Sequence, residues 1–176
     1  DEAREDLMDL TLLAREASAS LRDVVWVIDR TTIRLPELIH QLMDRAKRVL
    51  TDVELSVETP NDCPDAIVSL TFKRHLIMFF KEVVHNCARH AKATEVRISV
   101  SVESQQLCVR VADNGCGFDI SAQRDGWGVD SMRKRSEELG GTMAIDSRPG
   151  QGTTVELAVP LAALLKNLDD QYKTSN

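Results

Sequence analysis

A stripe of four polar residues runs through a mostly apolar segment around position 82. They follow one another at spacings of four, three and one: Glu82, Asn86, Arg89 and His90. In a helix, residues three and four apart share a face, so the carboxylate, the amide and the guanidinium would form a row. The row could be a solvent-facing edge. It could also be a phosphate and metal site, with the Asn86 oxygen on Mg²⁺, because Mg²⁺ prefers oxygen ligands.

A first glycine motif, Asp113-Asn-Gly-Cys-Gly117-Phe118, directly follows an apolar segment that alternates like a strand. An acid at a strand end offers an acceptor at the mouth of a pocket, and glycine lets the backbone come close to a ligand. Taken alone, Asp-Asn-Gly is also a common turn.

A second glycine motif, Gly126-Trp127-Gly128, opens the next predicted helix. The backbone amides and the positive dipole end of a helix N-terminus can bind an anion. Residues 118–125 between the two motifs are mostly small or polar and are interpreted as a short lid. The glycines fit neither a Walker loop nor a dinucleotide-binding fingerprint.

The elements that would position these motifs follow from the apolar periodicity. Apolar residues repeat at steps of three and four through residues 1–30, which predicts a helix of a bundle, although a helix docked on its own domain gives the same pattern. Further helices are predicted at 36–50, 66–91 and 129–139, and strands at 53–57, 95–102, 107–112, 142–147 and 153–159. This order predicts an α+β two-layer sandwich with a mostly antiparallel mixed sheet over residues 31–165, followed by a flexible tail, 166–176.

Composition excludes several classes of function. The chain of 176 residues has 43% hydrophobic residues and a net charge of −6 without a basic cluster, so we expect a packed core and no nucleic-acid partner. Its four cysteines form no CxxC pair, which fits a reducing cytoplasm without zinc or disulfides. No apolar run is long enough to cross a membrane, and we expect no signal peptide and no membrane contact.

In combination and in this order, the motifs resemble those of the GHKL superfamily of ATPases and kinases, and within it the histidine kinases. Residues 82–91 resemble the N box, 113–117 the G1 box and 126–135 the G2 box, while 147–153 are similar to the turn before the last strand of the family. The resemblance covers roughly residues 35–160 and points to the subfamily of nitrate and membrane-fluidity sensors. It implies the Bergerat (GHKL) fold.

The resemblance also implies the cofactors ATP and Mg²⁺ and a role for each matching residue. Asp113 would accept a hydrogen bond from the adenine amino group, with Gly117 giving the ring room and Thr153 behind it. Asn86 would hold Mg²⁺, and Glu82 would support the metal waters or act as a base. The nucleotide-binding positions that the resemblance assigns are Asn86, Arg89, His90, Asp113, Gly115, Gly117, Gly126, Trp127, Gly128 and Thr153.

The phosphoacceptor histidine of such kinases is followed by an acid, and no histidine of this chain is: Gln41 follows His40, Leu76 follows His75, Asn86 follows His85 and Ala91 follows His90. We therefore expect the acceptor on a first bundle helix upstream, in the same or the sister protomer of a homodimer, with a response regulator as the next partner. Arg89 stands where the family commonly has lysine, so its geometry toward phosphate differs.

Other functions remain open at this point. A GHKL protein-serine kinase of the anti-sigma type has the same fold without a bundle helix, and the heptad pattern of residues 1–30 disfavours it. A degenerate domain that serves as a dimer scaffold would lack the box residues, which are present here. A hydrolytic ATPase of the mismatch-repair or chaperone kind would carry further domains. The sequence therefore favours a cytoplasmic histidine kinase domain.

Overall fold

The structure, a computed structural model, describes residues 32–120 and 127–165, without the side chains of Trp127 and Leu165. The predicted bundle helix, most of the lid, Gly126 and the predicted tail lie outside the described residues. The domain boundaries therefore stay predictions.

The described elements are, in chain order, β1 Ile33–Arg34, α1 Leu35–Val49, β2 Glu54–Glu58, β3 Ile67–Val68, α2 Leu70–Arg89, β4 Glu95–Glu103, β5 Gln106–Asp113, α3 Trp127–Glu138, β6 Thr142–Ser147, β7 Thr153–Pro160 and a 3₁₀ helix Leu161–Leu165. Five strands form one sheet in the order β2-β4-β5-β7-β6. Strand β2 is parallel to β4, and the other neighbours are antiparallel. The predicted α+β fold with a mostly antiparallel mixed sheet is confirmed.

One face of the sheet is buried and the other is not. Along β4, Val96, Ile98 and Val100 are buried, while residues between them, such as Arg97, are more exposed. Helix α2 packs against β5, α3 packs against α2 and β6, and α1 packs against α2, so the helices cover the buried face. The period-two alternation of the strands thus places the core between one sheet and one helical layer.

The core is built from large aliphatic and aromatic side chains of both layers. Its largest fully buried members are Phe79, Phe80, Leu35, Leu38, Leu42, Leu76, Ile77, Ile98, Leu107, Met132, Leu139 and Leu157. Burial of each such side chain contributes roughly 1.5–3 kcal/mol before the opposing conformational entropy is counted. Helix α2 supplies four of them, so the helix that carries the polar row is also the centre of the core.

The predicted start of the second long helix, at residue 66, is wrong. Residues Ile67–Val68 instead form β3, which pairs antiparallel with β1. The amide of Leu35 donates to the carbonyl of Ala66 (2.9 Å), and Arg34 forms an ion pair with Asp65 (2.7 Å). Because this backbone is already used by a strand pair, α2 cannot begin before Ser69. The two short strands and the 3₁₀ helix were not predicted.

Among the described residues, none of the helices combines the length and the apolar character needed to cross a membrane. The longest, α2, contains several charged residues along its 20 positions.

Ser69 caps α2, and we expect its removal to destabilise the domain. Its hydroxyl accepts a hydrogen bond from the amide of Phe72 (3.2 Å), and the residue is 1% exposed. Ser69→Ala should lower the free energy of unfolding by about 1 kcal/mol, a typical value for a lost N-cap, as measured by urea denaturation. The matched control is Thr71→Ala, at an exposed position of the first turn. Equal stabilities of the two variants would contradict the capping role.

Candidate functional site

A cavity of about 440 Å³ lies between the C-terminal half of α2, the start of α3 and the helix-facing side of the sheet. Glu82 and Asn86 of α2 and its C-cap His90 contribute polar groups, and the ends of β5, β6 and β7 contribute the floor. The residues that line it are Glu82, Val83, Asn86, Cys87, His90, Ala91, Val111, Asp113, Cys116, Gly117, Phe118, Gly128, Val129, Met132, Ile145, Thr153 and Val155. It combines an apolar lining with a few polar groups, as small-molecule sites usually do.

Seven residues singled out from the sequence meet at this cavity: Glu82, Asn86, His90, Asp113, Gly117, Gly128 and Thr153. They come from three separate motifs and from the start of β7, which the fold brings together. Two other predicted residues lie elsewhere: Arg89 is exposed and does not line the cavity, and Gly115 is buried beside it. Gly126 and the side chain of Trp127 lie outside the described residues.

The loop after β5 is fixed to the end of α2 and the start of β4. The side-chain oxygen of Asn114 accepts hydrogen bonds from the amides of Thr94 (2.9 Å) and Glu95 (3.0 Å). The amide of Cys116 donates to the carbonyl of Ala91 (2.7 Å). A Cβ atom at Gly115 would lie 2.1 Å from that same oxygen, so only glycine allows this approach. Gly115 therefore shapes the cavity wall without facing its interior.

Asp113 ends β5 and presents a carboxylate to the base of the cavity. Its Oδ1 atom accepts a hydrogen bond from the amide of Gly115 (2.9 Å), and the thiol of Cys87 lies 3.8 Å from Oδ2. Both contacts help to orient the carboxylate. The group therefore offers hydrogen-bond acceptors to a ligand that carries a donor.

Hydroxyl groups of β6 and β7 continue this polar floor. The Ser147 and Thr153 hydroxyl oxygens lie 2.8 Å apart, and the amide of Phe118 donates to Ser147 Oγ (2.9 Å). Ser147 is 7% exposed, whereas Thr153 lines the cavity. The start of the predicted lid is thus tied to the end of β6.

At the opposite end, the first turn of α3 lies against the polar row of α2. A Cβ atom at Gly128 would lie 2.5 Å from Glu82 Oε1 and 3.8 Å from Asn86 Nδ2. A carboxylate and an amide therefore meet the amides of a helix N-terminus, where an anion is stabilised.

The donor set at this end suits Mg²⁺ held jointly with a phosphate ligand. Its side chains offer the carboxylate and amide oxygens of Glu82 and Asn86, which are hard ligands. Within residues 32–120 and 127–165, no group of three or more His, Cys, Asp or Glu could hold a metal ion by itself. A cation with one or two protein oxygens and several other oxygen ligands fits this arrangement, as is usual for Mg²⁺.

Sequence reasoning missed most of the apolar lining and one polar neighbour. The sequence predicts Phe118, Val129 and Ile145 only as core or lid residues, because apolar periodicity does not distinguish a packed core from a cavity wall. It gives Ser147 only as part of a turn motif. Its position opposite Thr153 depends on the pairing of β6 and β7, whose register the turn residues alone do not give.

Comparison with known proteins gives a consistent result. The model of the family described as histidine kinase-, DNA gyrase B-, and HSP90-like ATPase matches residues 72–163. The chain is 29% identical over 154 residues to the sensor histidine kinase LiaS of Bacillus subtilis (strain 168), covering 85% of this chain and 41% of that protein. It is 32% identical over 111 residues to the sensor protein VraS of Staphylococcus haemolyticus, covering 62% and 32%. The chain thus spans less than half the length of these relatives.

Solved structures show the same fold. The histidine kinase domain of the blue-light activated histidine kinase of Erythrobacter litoralis EL346 superposes with a TM-score of 0.62 at 21% identity, covering 73% of this chain and 65% of that one. The histidine kinase AdeS of Acinetobacter baumannii superposes with a TM-score of 0.56 at 15% identity, covering 89% and 83%.

The thiol of Cys87, next to Asp113, should make the domain less stable at alkaline pH. Burial, and then the nearby Asp113 carboxylate, raises the pKa of Cys87 to about 12. An unfolded thiol has a pKa of about 8.5, so the folded state keeps a proton that the unfolded chain loses. The contribution of Cys87 to stability is therefore fully present below about pH 8.5 and is lost as the pH rises toward 12.

The measurement is urea unfolding at pH 8 and pH 10 for the wild type, Cys87→Ala and Cys87→Ser. Between these pH values the wild type should lose on the order of 1–2 kcal/mol more than either variant, since neither variant carries this thiol. Parallel losses in all three proteins would show that the thiol does not titrate differently on folding.

Proposed function

The chain belongs to the histidine kinase-, DNA gyrase B-, and HSP90-like ATPase family, and we propose that it is the ATP-binding catalytic domain of a sensor histidine kinase. The family model covers residues 72–163, more than half of the 176 residues. The observation that carries the proposal is the convergence of Asp113, Asn86 and Gly128 on one cavity of nucleotide size. Three relatives that match most of this chain are named as a sensor histidine kinase, a sensor protein and a signal transduction histidine-protein kinase/phosphatase.

The floor of the cavity would bind the adenine base. The Asp113 carboxylate would accept a hydrogen bond from the exocyclic amino group, and Thr153 would contact the same edge of the ring. Gly117 lies where the loop passes close to the turn before β7, and a Cβ atom there would lie 2.1 Å from the Arg148 carbonyl. Apolar residues such as Val111 and Met132 would cover the faces of the ring.

The α2–α3 end would hold the phosphates. The amides of Gly126 and Gly128 would donate to phosphate oxygens at the helix N-terminus, and His90, just after α2, lines the same cavity. The exposed Arg89 at the end of α2 is a further proposed phosphate contact. Asn86 would bind Mg²⁺, with Glu82 beside it. When bound, this ion would neutralise the negative charge that grows during transfer.

The reaction would be transfer of the γ-phosphoryl group to a histidine. The bond between the γ-phosphorus and the bridging oxygen of ADP breaks, and a bond from phosphorus to an imidazole nitrogen forms. Glu82 is the proposed catalytic residue, taking the imidazole proton or holding the metal waters. The other residues act mainly by positioning the reacting groups.

The partners follow from this reaction. The acceptor histidine would lie on a bundle helix that this sequence does not contain, in the same or the sister protomer of a homodimer, and a response regulator would receive the phosphoryl group. The proposed location is the cytoplasm, where ATP is abundant and a regulator is accessible. The competing functions are a degenerate dimer scaffold that holds nucleotide or none, and a serine kinase.

The first test is displaceable binding of a fluorescent ATP analogue in the presence of Mg²⁺. Asp113→Asn should weaken binding about ten- to hundredfold, because a hydrogen bond to a charged acceptor contributes about 1.5–3 kcal/mol. The control is Asp146→Asn on the exposed side of β6, which should bind as the wild type does. Absence of displaceable binding by the wild type would remove the kinase proposal and favour the scaffold. Transfer to serine in place of histidine, in the longest natural chain that contains this sequence, would favour the serine kinase.

A second test concerns the contact between Gly128 and Glu82. Gly128→Ala should keep or slightly raise the free energy of unfolding, because alanine suits a helix better than glycine. It should weaken Mg²⁺–ATP binding about tenfold, since the new methyl group pushes the Glu82 carboxylate from its place. In a Glu82→Ala background, which makes room for the methyl group, Gly128→Ala should weaken Mg²⁺–ATP binding less than about twofold. Equal losses in both backgrounds would show that the methyl group acts on the nucleotide directly.

A further inference from the structure

Three polar residues form a row across the sheet at the floor of the cavity. Asp113 ends β5, Thr153 begins β7 and Ser147 ends β6. In the register of the sheet, Asp113 pairs with Thr153, and Thr153 pairs with Ser147. Directly opposed residues of antiparallel strands place their side chains on the same face, so the three side chains are neighbours.

The hydrogen bonds of Ser147 determine which residue donates the hydrogen bond between Ser147 and Thr153. Its hydroxyl oxygen accepts from the amide of Phe118 (2.9 Å). Its single proton has two acceptors in reach: the carbonyl of Gly152 (3.1 Å), which can only accept, and Thr153 Oγ1 (2.8 Å), which can accept or donate. All three contacts of Ser147 are satisfied together only when Ser147 donates to Gly152 and Thr153 donates to Ser147.

This direction leaves Thr153 without a proton for the cavity. A threonine hydroxyl has one donor and two lone pairs, and the donor is directed at Ser147. The oxygen of Thr153 therefore offers only lone pairs to a bound molecule. The carboxylate of Asp113, one strand away, also offers acceptors. The floor of the cavity presents two adjacent acceptors to the base.

We propose that Ser147 is a positioning residue that fixes the Thr153 hydroxyl as an acceptor and thereby favours a base with an exocyclic amino donor over a base with a carbonyl at the same place. The inference rests on the proposed ATP site and adds the origin of its base selectivity. Adenine carries an amino donor at the position where guanine carries a carbonyl acceptor. Two fixed acceptors receive the amino group of adenine and repel the carbonyl group of guanine.

The energetic reason is that an unmatched polar contact costs more than a matched one contributes. A guanine carbonyl held against two acceptors loses its hydrogen bonds to water and gains none. Without the Ser147 hydroxyl, Thr153 can turn and donate its proton into the cavity. The penalty against guanine then falls, while Asp113 still receives the amino group of adenine.

The experiment measures Kd for ATP and for GTP, each with Mg²⁺, by displacement of a fluorescent ATP analogue. The proteins are the wild type, Ser147→Ala and Ser147→Thr, which keeps a hydroxyl. We expect Ser147→Ala to lower the preference for ATP over GTP about tenfold, and Ser147→Thr to retain more of it. Looser folding weakens both nucleotides together, so the ratio of the two Kd values isolates the effect on base selectivity.

Thr153→Val provides a second route that does not depend on the folding of the Ser147 variants. It removes the hydroxyl and keeps the shape, so the preference for ATP should fall without tighter binding of GTP. Adding Ser147→Ala to Thr153→Val should then leave the ratio unchanged, because Ser147 acts through the threonine hydroxyl.

The outcomes separate this inference from the function on which it rests. A wild type that prefers ATP, with the same preference in Ser147→Ala, overturns the inference alone. Equal weakening of both nucleotides shows a structural role of Ser147 and also overturns it. A wild type that binds neither nucleotide overturns the inference together with the proposed function.

Discussion

The site depends on one constraint: the backbone after β5 must pass between two other backbone segments with no room for a side chain. On one side, Gly115 lies against the carbonyl of Ala91 at the end of α2. On the other, Gly117, with a φ of +54°, lies against the carbonyl of Arg148 in the turn before β7. Both approaches are closer than any Cβ atom permits. This fit fixes Asp113 relative to the helix that carries Asn86 and to the strand that carries Thr153.

The fold could be predicted largely from the sequence because its signals are local. Alternation in 95–102 and 107–112 and the helical period around residue 82 each report one element, and the three motifs report a family. The start of α2 could not be predicted in this way. Helical periodicity extends back to Ala66, but the backbone there pairs with β1, a contact with residues more than thirty positions away in sequence.

The sequence predicts the residues of the candidate site better than it predicts their arrangement in space. Asp113, Asn86 and Gly128 were recognisable because their types are unusual in their surroundings. The arrangement of Gly115 behind the wall, the exposure of Arg89 and the contact of Ser147 with Thr153 depend on packing and on strand register. These are properties of several segments together, so no single stretch of sequence contains them.

The apolar lining and the hydrophobic core share residues, whereas the polar row at the floor of the cavity does not belong to the core. Val83, Met132 and Val155 line the cavity and are also buried in the core, so changing them affects recognition and folding together. The row of Asp113, Thr153 and Ser147 differs, because its members contribute hydrogen bonds at the strand ends and little apolar burial. Selectivity for a base can therefore change along this row while the core stays intact. In this fold, base selectivity can therefore be changed with less loss of folding stability through the direction of one buried hydroxyl proton than through the shape of the cavity.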